Sequence, residues 1–202
     1  MRVKTFAEQG RRAQIVASAI ETIAEVGYGQ ASFARIAERA GLSSTRLISY
    51  HFDGKAELIE QVVAEVYTAA GAFMAPLVAA AKTPTETLAA YLRSNVEFMR
   101  THPHHVVAIS EILHNHRGAD GHLRYFGETG GEDAVLEPVH AVLRAGQESG
   151  EFREFSVPHL AWVLRAAIDD IGFRFAADPG LDLGRCADEL VDLFTAATRR
   201  TP

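Results

Sequence analysis

Between residues 43 and 55 the chain reads SSTRLISYHFDGK, and Ser43, Ser44, Thr45, Arg46, Ser49, Tyr50, His51 and Lys55 put a hydrogen-bond donor at most positions. The chemistry open to such a set is recognition rather than bond making. Serine, threonine and arginine read base edges in a DNA groove, while tyrosine, histidine and lysine hold phosphate oxygens. Reaction chemistry has no comparable support. The chain has no Gly-rich phosphate loop, no GxSxG elbow and no HExxH motif. Its adjacent carboxylates, Asp169 and Asp170, would point about 100° apart on a helix. An enzyme is therefore not expected, and no cofactor is implied.

A polar run of this kind needs a scaffold that anchors one edge and exposes the other, and the flanking residues supply helical periodicity throughout. Ile15, Ala19, Ile23 and Val26 recur on one face of a first helix that Gly27 stops. Ser32 can cap a short second helix whose stripe is Phe33, Ile36, Ala37 and Ala40, with Gly41 at its end. A third helix begins at Ser43 or Ser44. Asp53 can cap a fourth that runs towards Ala81. Thr83 and Glu86 spell a capping box around Pro84 and open a fifth. His102-Pro103 starts a sixth. The stretch from Arg117 to Glu132 reads as a long loop, a seventh helix ends near Gly150, an eighth starts at Ser156-Val157-Pro158, and Asp182 caps a ninth. The expected fold is all-α with about nine helices: a helix-turn-helix head over residues 1–55 and a helical body over 56–202.

Charge divides along the same line. The chain carries 20 Lys and Arg against 26 Asp and Glu, yet residues 1–55 hold eight basic and five acidic side chains, leaving 12 and 21 for the rest. A basic head on an acidic body attracts a polyanion at one end only, which argues against a protein that wraps DNA widely. The lone Cys186 excludes an intrachain disulfide and a Cys-based zinc framework, and fits a reducing cytoplasm. The N-terminal segment has no apolar core of a signal peptide, and the longest uncharged stretch, Val66–Ala81, is 16 residues diluted by Ala, Gly71 and Pro76. No membrane partner is expected.

Two short helices joined by a tight glycine turn make a helix-turn-helix whose second helix enters the major groove. In that geometry Leu47 or Ile48, with Phe52, anchors the helix inward. Ser44, Thr45 and Arg46 lie where bases are read, and Tyr50 and His51 where phosphates pass. Lys55, in the first turn of the fourth helix, would turn an unfavourable dipole contact into a favourable one if a phosphate sat there. From about Ile15 to Leu58, through Gly27-Tyr28, Ser32, Ile36-Ala37, Ala40-Gly41, Leu42-Ser43, Phe52, Lys55 and Leu58, the chain resembles the TetR family of one-component transcriptional regulators. It departs from the pattern once. Ten residues separate Gly41 from Phe52 where the family commonly has nine, and the usual glycine and first tyrosine of the recognition helix are missing. With the extra residue in the turn, Ser44 caps and Ile48 anchors; with it later, Ser43 and Leu47 take those roles. Phosphate contacts by Ser32, His51 and Lys55 hold in either register.

The resemblance implies a homodimer on a palindromic operator in double-stranded DNA, built by helices eight and nine through Leu160, Leu164, Ile168, Ile171, Phe175, Leu190, Leu193 and Phe194. It also implies repression relieved by a small, largely apolar effector. Candidate lining residues are Phe73, Tyr91, Phe98, Met99, Ile109, Leu113, Trp162, Asp169 and Phe173, with Arg165 and Asp169 spaced for an i,i+4 ion pair. Six of nine histidines fall between His102 and His122. They raise a metal-responsive alternative, but no HxxxH pair or cysteine completes a site, so no metal ligand is assigned. A helical adaptor that binds only protein is a further alternative, which leaves residues 43–55 unexplained.

Overall fold

Helices fill most of what the computed structural model describes, residues 6–118, 121–123 and 132–200. They run in the order α1 (Phe6–Val26), α2 (Phe33–Arg39), α3 (Arg46–His51), α4 (Gly54–Ala79), α5 (Pro84–Thr101), α6 (Pro103–Asn115), α7 (Glu132–Glu148), α8 (Val157–Ala177) and α9 (Leu183–Thr198). Among the described residues there is no strand beyond the isolated bridges Arg117–Leu123 and Phe152–Arg199. Of the loop expected over 117–132, residues 119–120 and 124–131 lie outside the described part.

The end signals act as their chemistry predicts. Ser32 Oγ accepts from the Arg35 N–H at 3.4 Å, Thr83 Oγ1 from Glu86 at 3.2 Å and Asp182 Oδ1 from Arg185 at 3.0 Å. These bonds satisfy donors that a helix start leaves unpaired. The box at Thr83 is looser than the pattern, since Glu86 Oε2 reaches back to the N–H of Lys82 rather than Thr83. At Asp53 the carboxylate in use belongs to Glu57, whose Oε2 accepts the Asp53 N–H at 2.5 Å.

The chain divides into two compact units. One comprises Met1–Thr68 with His104–Leu123, the other Ala69–Pro103 with Arg124–Pro202. The division falls inside α4 and brings α6 into the first unit, unlike a cut at residue 55. Within the first unit the end of α6 meets the α1–α2 turn. Glu111 of α6 accepts the Tyr28 N–H at 3.0 Å, and the Tyr28 hydroxyl lies 2.5 Å from His116 Nδ1.

In the first unit α1 packs on α2 and α3, and Ile15, Ile23, Ile36, Ile48, Phe52 and Leu58 are buried. In the second, α5 packs on α7, α8 and α9, over a core that includes Leu88, Leu92, Leu143, Leu164, Ile168 and Phe194. Each such side chain contributes about 1.5–3 kcal/mol on burial. Among the described residues α4 is the one helix long and apolar enough to cross a membrane, with mean hydropathy 1.6 over its best window, a match that the count of uncharged residues misses. Its Leu58, Ile59, Val62, Val63 and Val66 are buried in the protein, although 17% of that window as a whole is buried.

Candidate nucleic-acid interface

The turn before α3 is built on a left-handed residue. Gly41 has φ +62°, Leu42 N–H donates to Ala37 C=O at 2.8 Å, and Gly41 N–H to Glu38 C=O at 3.1 Å. These paired bonds close the end of α2 as a Schellman motif, for which a residue without Cβ is the low-strain choice. The chain then turns again at Ser44. Its Oγ accepts the Arg46 N–H at 3.1 Å and its carbonyl the Leu47 N–H at 3.2 Å. Thr45 precedes the first residue of α3 but makes no side-chain cap bond. Regular helix thus begins later than Ser43 or Ser44 would have it.

Burial decides between the two registers. Ile48 is 0% exposed and Leu47 38% exposed, so Ile48 is the anchor and the extra residue sits in the turn. At about 100° per residue, Arg46, Ser49 and Tyr50 share the side of α3 opposite Ile48. All three are exposed, as are Ser32, Ser43, Ser44 and Thr45. His51 is half-buried at the edge of this face, its ring meeting that of Tyr50 edge-on at 5.1 Å.

The cations sort into two groups. Arg46 and Arg35 are exposed and have no ion pair among the described residues. Arg35, not among the expected contact residues, sits in the first turn of α2, where its N–H meets Ser32 Oγ. Arg39, Arg12 and Lys55 have internal partners. Arg39 pairs with Glu21 at 3.2 Å and with Glu25. Arg12 bonds Glu57 Oε1 at 2.9 Å and the His51 carbonyl. Lys55 Nζ, expected to face a phosphate, donates to the Tyr28 carbonyl at 3.1 Å and lies 4.5 Å from the Tyr28 ring centroid. Partial burial pushes the Lys55 ammonium pKa down and the Tyr28 hydroxyl pKa up. The α1–α2 turn brings that carbonyl to the start of α4, a juxtaposition that sequence spacing does not reveal.

The residues expected to line an effector site do not form one group. Tyr91, Phe98 and Met99 are buried in α5, and Phe73 packs its ring 5.8 Å from that of Phe98. His102, missing from the expected set, stacks on Phe98 at 4.3 Å. Asp169 pairs with Arg165, which also reaches Asn95 Oδ1 at 3.5 Å. Trp162 and Phe173 point outward, 49% and 48% exposed, while Ile109 and Leu113 belong to the other unit. A groove of about 480 Å³ lies elsewhere, lined by Thr22, Val26, Arg35, Glu38 and Arg39.

The residues expected at a dimer interface need a matching correction. Leu164, Ile168, Phe175, Leu190 and Phe194 are buried within the protomer, and Leu160 and Ile171 are half-buried. Leu193, 61% exposed, is the member that faces out, joined by Val163, Trp162 and Phe173 from α8. An all-round apolar helix gives no phase, so pattern alone could not tell the inner side from the outer. Among the described residues no three His, Cys, Asp or Glu side chains converge as a metal site. Several of the clustered histidines have other partners: His102 its Phe98 stack, His114 the Ser110 carbonyl at 2.8 Å, and His116 Tyr28.

Comparison with known proteins agrees with this geometry. Residues 15–62 match the model of the bacterial regulatory proteins of the tetR family. A 56-residue segment is 43% identical to the HTH-type transcriptional regulator BetI 1 of Chromohalobacter salexigens, a match covering 28% of this chain and 27% of that protein. Among solved structures, a transcriptional regulator FadR from Bacillus subtilis in complex with stearoyl-CoA superposes with a TM-score of 0.77 at 21% identity, over 93% of this chain and 99% of that one. A structure described as the molecular basis for control of antibiotic production by bacterial hormones gives 0.77 at 25% identity, over 98% and 100%. A TetR-like transcriptional regulator from Rhodococcus sp. RHA1 gives 0.67 at 17%, over 95% and 96%.

Proposed function

We propose, starting from a chain that belongs to the TetR family by its residues 15–62 and by its fold, that this transcription regulator reads a palindromic operator as a homodimer and represses until a small, largely apolar effector releases it. One observation carries the DNA reading: α3 is anchored by buried Ile48 and turns Arg46, Ser49 and Tyr50 to solvent. A helix so mounted presents small polar groups and one free guanidinium to base edges. Ser32, Ser43, Ser44, Thr45 and Arg35 flank it for bases and phosphates, with His51 and Lys55 behind them.

Two such heads are needed to read a palindrome. The exposed apolar groups of α8 and α9, Trp162, Val163, Phe173 and Leu193, support pairing through the outer faces of those helices. For the effector, the Phe73–Phe98 ring pair in the second unit, with Tyr91 and Met99 also buried on α5, supports an apolar ligand, and the stearoyl-CoA carried by the Bacillus regulator points to acyl chains as the first class to try. Bound effector would favour a dimer whose recognition helices no longer match successive major grooves. The relatives are regulators, and the chain is read as one, without catalysis.

The test is selection of bound duplexes from a random library by the purified full chain at near-physiological salt, because DNA affinities mean little without the salt stated. Enrichment of an inverted repeat is expected, followed by its release on titration with fatty acids or acyl-CoAs. Recovery of unenriched, salt-sensitive background would overturn the reading.

A further inference from the structure

A six-residue helix is far too short to hold its own shape or direction, so something must orient α3. Ile48 fixes its depth. Its C-terminal end is held by a side chain from another helix. Arg12 of α1 donates through Nη1 to the carbonyl of His51, the last residue of α3, and through Nη2 to Glu57 Oε1 at 2.9 Å. Its guanidinium carbon stands 4.1 Å from the ring centroid of Phe52, the buried residue at which α3 stops. Glu57 completes the circuit, because its Oε2 takes the N–H of Asp53 at 2.5 Å. One guanidinium thereby meets the end of α3, its capping aromatic ring and the first turn of α4. Two residues further along α1, Gln14 Nε2 donates to the carbonyl of Ala40 at 2.8 Å, closing the end of α2 in the same manner.

We propose that Arg12 is a positioning residue for sequence readout, clamping the end of α3 against α1 and α4 so that Arg46, Ser49 and Tyr50 meet the bases at one angle, and is not itself a phosphate ligand. Its side chain is only 13% exposed and both arms of its fork are engaged, unlike those of Arg35 and Arg46. The carbonyls at a helix end have no intrahelical partner, so the bond to His51 satisfies a group that would otherwise be left to water. A planar fork serves a carbonyl and a carboxylate from two nitrogens in fixed geometry, whereas an ammonium offers its donors from one point on a flexible stem. Reading bases demands tight angular placement, whereas nonspecific binding through phosphates tolerates a loosened helix.

The inference rests on the DNA reading proposed above, and two measurements on the full chain separate the two ideas. The first needs no DNA. Amide exchange in residues 46–53 should rise about tenfold in Arg12→Met, the loss expected of one charge-assisted hydrogen bond, while exchange in α5–α9 stays at the wild-type rate. The second compares affinity for the selected duplex with affinity for random duplex across a salt series. Arg12→Met should lower that ratio about tenfold with an unchanged salt slope, and Arg12→Lys and Glu57→Gln should fall between it and wild type. These two milder variants carry the test if Arg12→Met does not fold. Equal losses on both duplexes, with a salt slope smaller by about one, would make Arg12 a phosphate ligand and overturn the proposal. Wild-type exchange in 46–53 in every variant would overturn it as well. A wild-type protein that selects no duplex refutes the regulator reading, and the exchange rates still decide the clamp.

Discussion

Helices α3 and α8 show opposite relations between pattern and role. In α3 a single strongly apolar position points inward and the residues opposite it are polar, so its orientation follows once Ile48 is known to be buried. In α8 apolar residues surround the axis. Leu164, Ile168 and Phe175 pack within the protomer while Trp162, Val163 and Phe173 remain outside. The difference teaches that composition tells what a helix can bind only when it also tells which way the helix faces. For α8 the residues expected to meet a partner chain lie mostly within the protomer, and the two expected to line a pocket, Trp162 and Phe173, lie at its surface.

The sharpest way to break the comparison is at the anchor. Replacing Ile48 by Ala should cost about 2–5 kcal/mol in urea unfolding of the first unit and abolish selective DNA binding, whereas Leu47→Ala should cost under about 1 kcal/mol. Similar costs for both would mean that α3 is not phased as described. On α8 the expected split lies between stability and assembly. Phe173→Ser should turn a dimer into a monomer in light scattering at micromolar concentration, a loss of about 2 kcal/mol or more if it is an interface anchor, with the unfolding midpoint of the monomer nearly unchanged. A dimer that survives both Phe173→Ser and Trp162→Ser would move the interface elsewhere.

A smaller effect separates the cations. Arg46→Ala should reduce discrimination between selected and random duplex by about 1–3 kcal/mol. Lys55→Ala, which removes the bond to the Tyr28 carbonyl, should lower stability by about 1 kcal/mol and weaken all duplexes together. A drop of about one in the Lys55→Ala salt slope would show that the ammonium leaves Tyr28 for a phosphate when DNA binds. The smallest effect is a pH dependence. Burial raises the Tyr28 pKa above its unfolded value, so its contribution is full below about pH 10 and is lost as pH rises through the folded value. Lys55, with its pKa lowered, acts in the opposite sense: stability recovers as pH climbs from the folded value towards the unfolded one. In Tyr28→Phe the urea midpoint should therefore fall less than in wild type between about pH 9 and pH 11, and a parallel fall would remove Tyr28 as the cause.

What was legible followed local chemistry. Ser32, Thr83 and Asp182 cap the helices that their types announce, and Gly27 and Gly41 stop helices where φ turns positive. The exposed polar face of α3 was readable for the same reason, as was the Arg165–Asp169 pair one turn apart. Partners distant in sequence were not readable. Lys55 and Tyr28 are 27 residues apart, Arg12 and Glu57 are 45 apart, and Tyr28 and His116 are 88 apart. Each distant bond redirected a charge or a ring that sequence alone would leave facing solvent or DNA. The count of basic residues in the head was correct, but it could not say that Arg12, Arg39 and Lys55 are engaged in internal bonds.

The attachment of α3 has a practical corollary. Everything that holds the helix in place, from Ile48 and Phe52 to the carbonyl of His51, lies on its inner side or at its end, and the outward positions 46, 49 and 50 carry none of that duty. Those three positions behave as an exchangeable cassette. On the DNA reading proposed above, libraries randomised there alone should yield folded heads with new duplex preferences, so that the address can be rewritten without touching the scaffold that holds it.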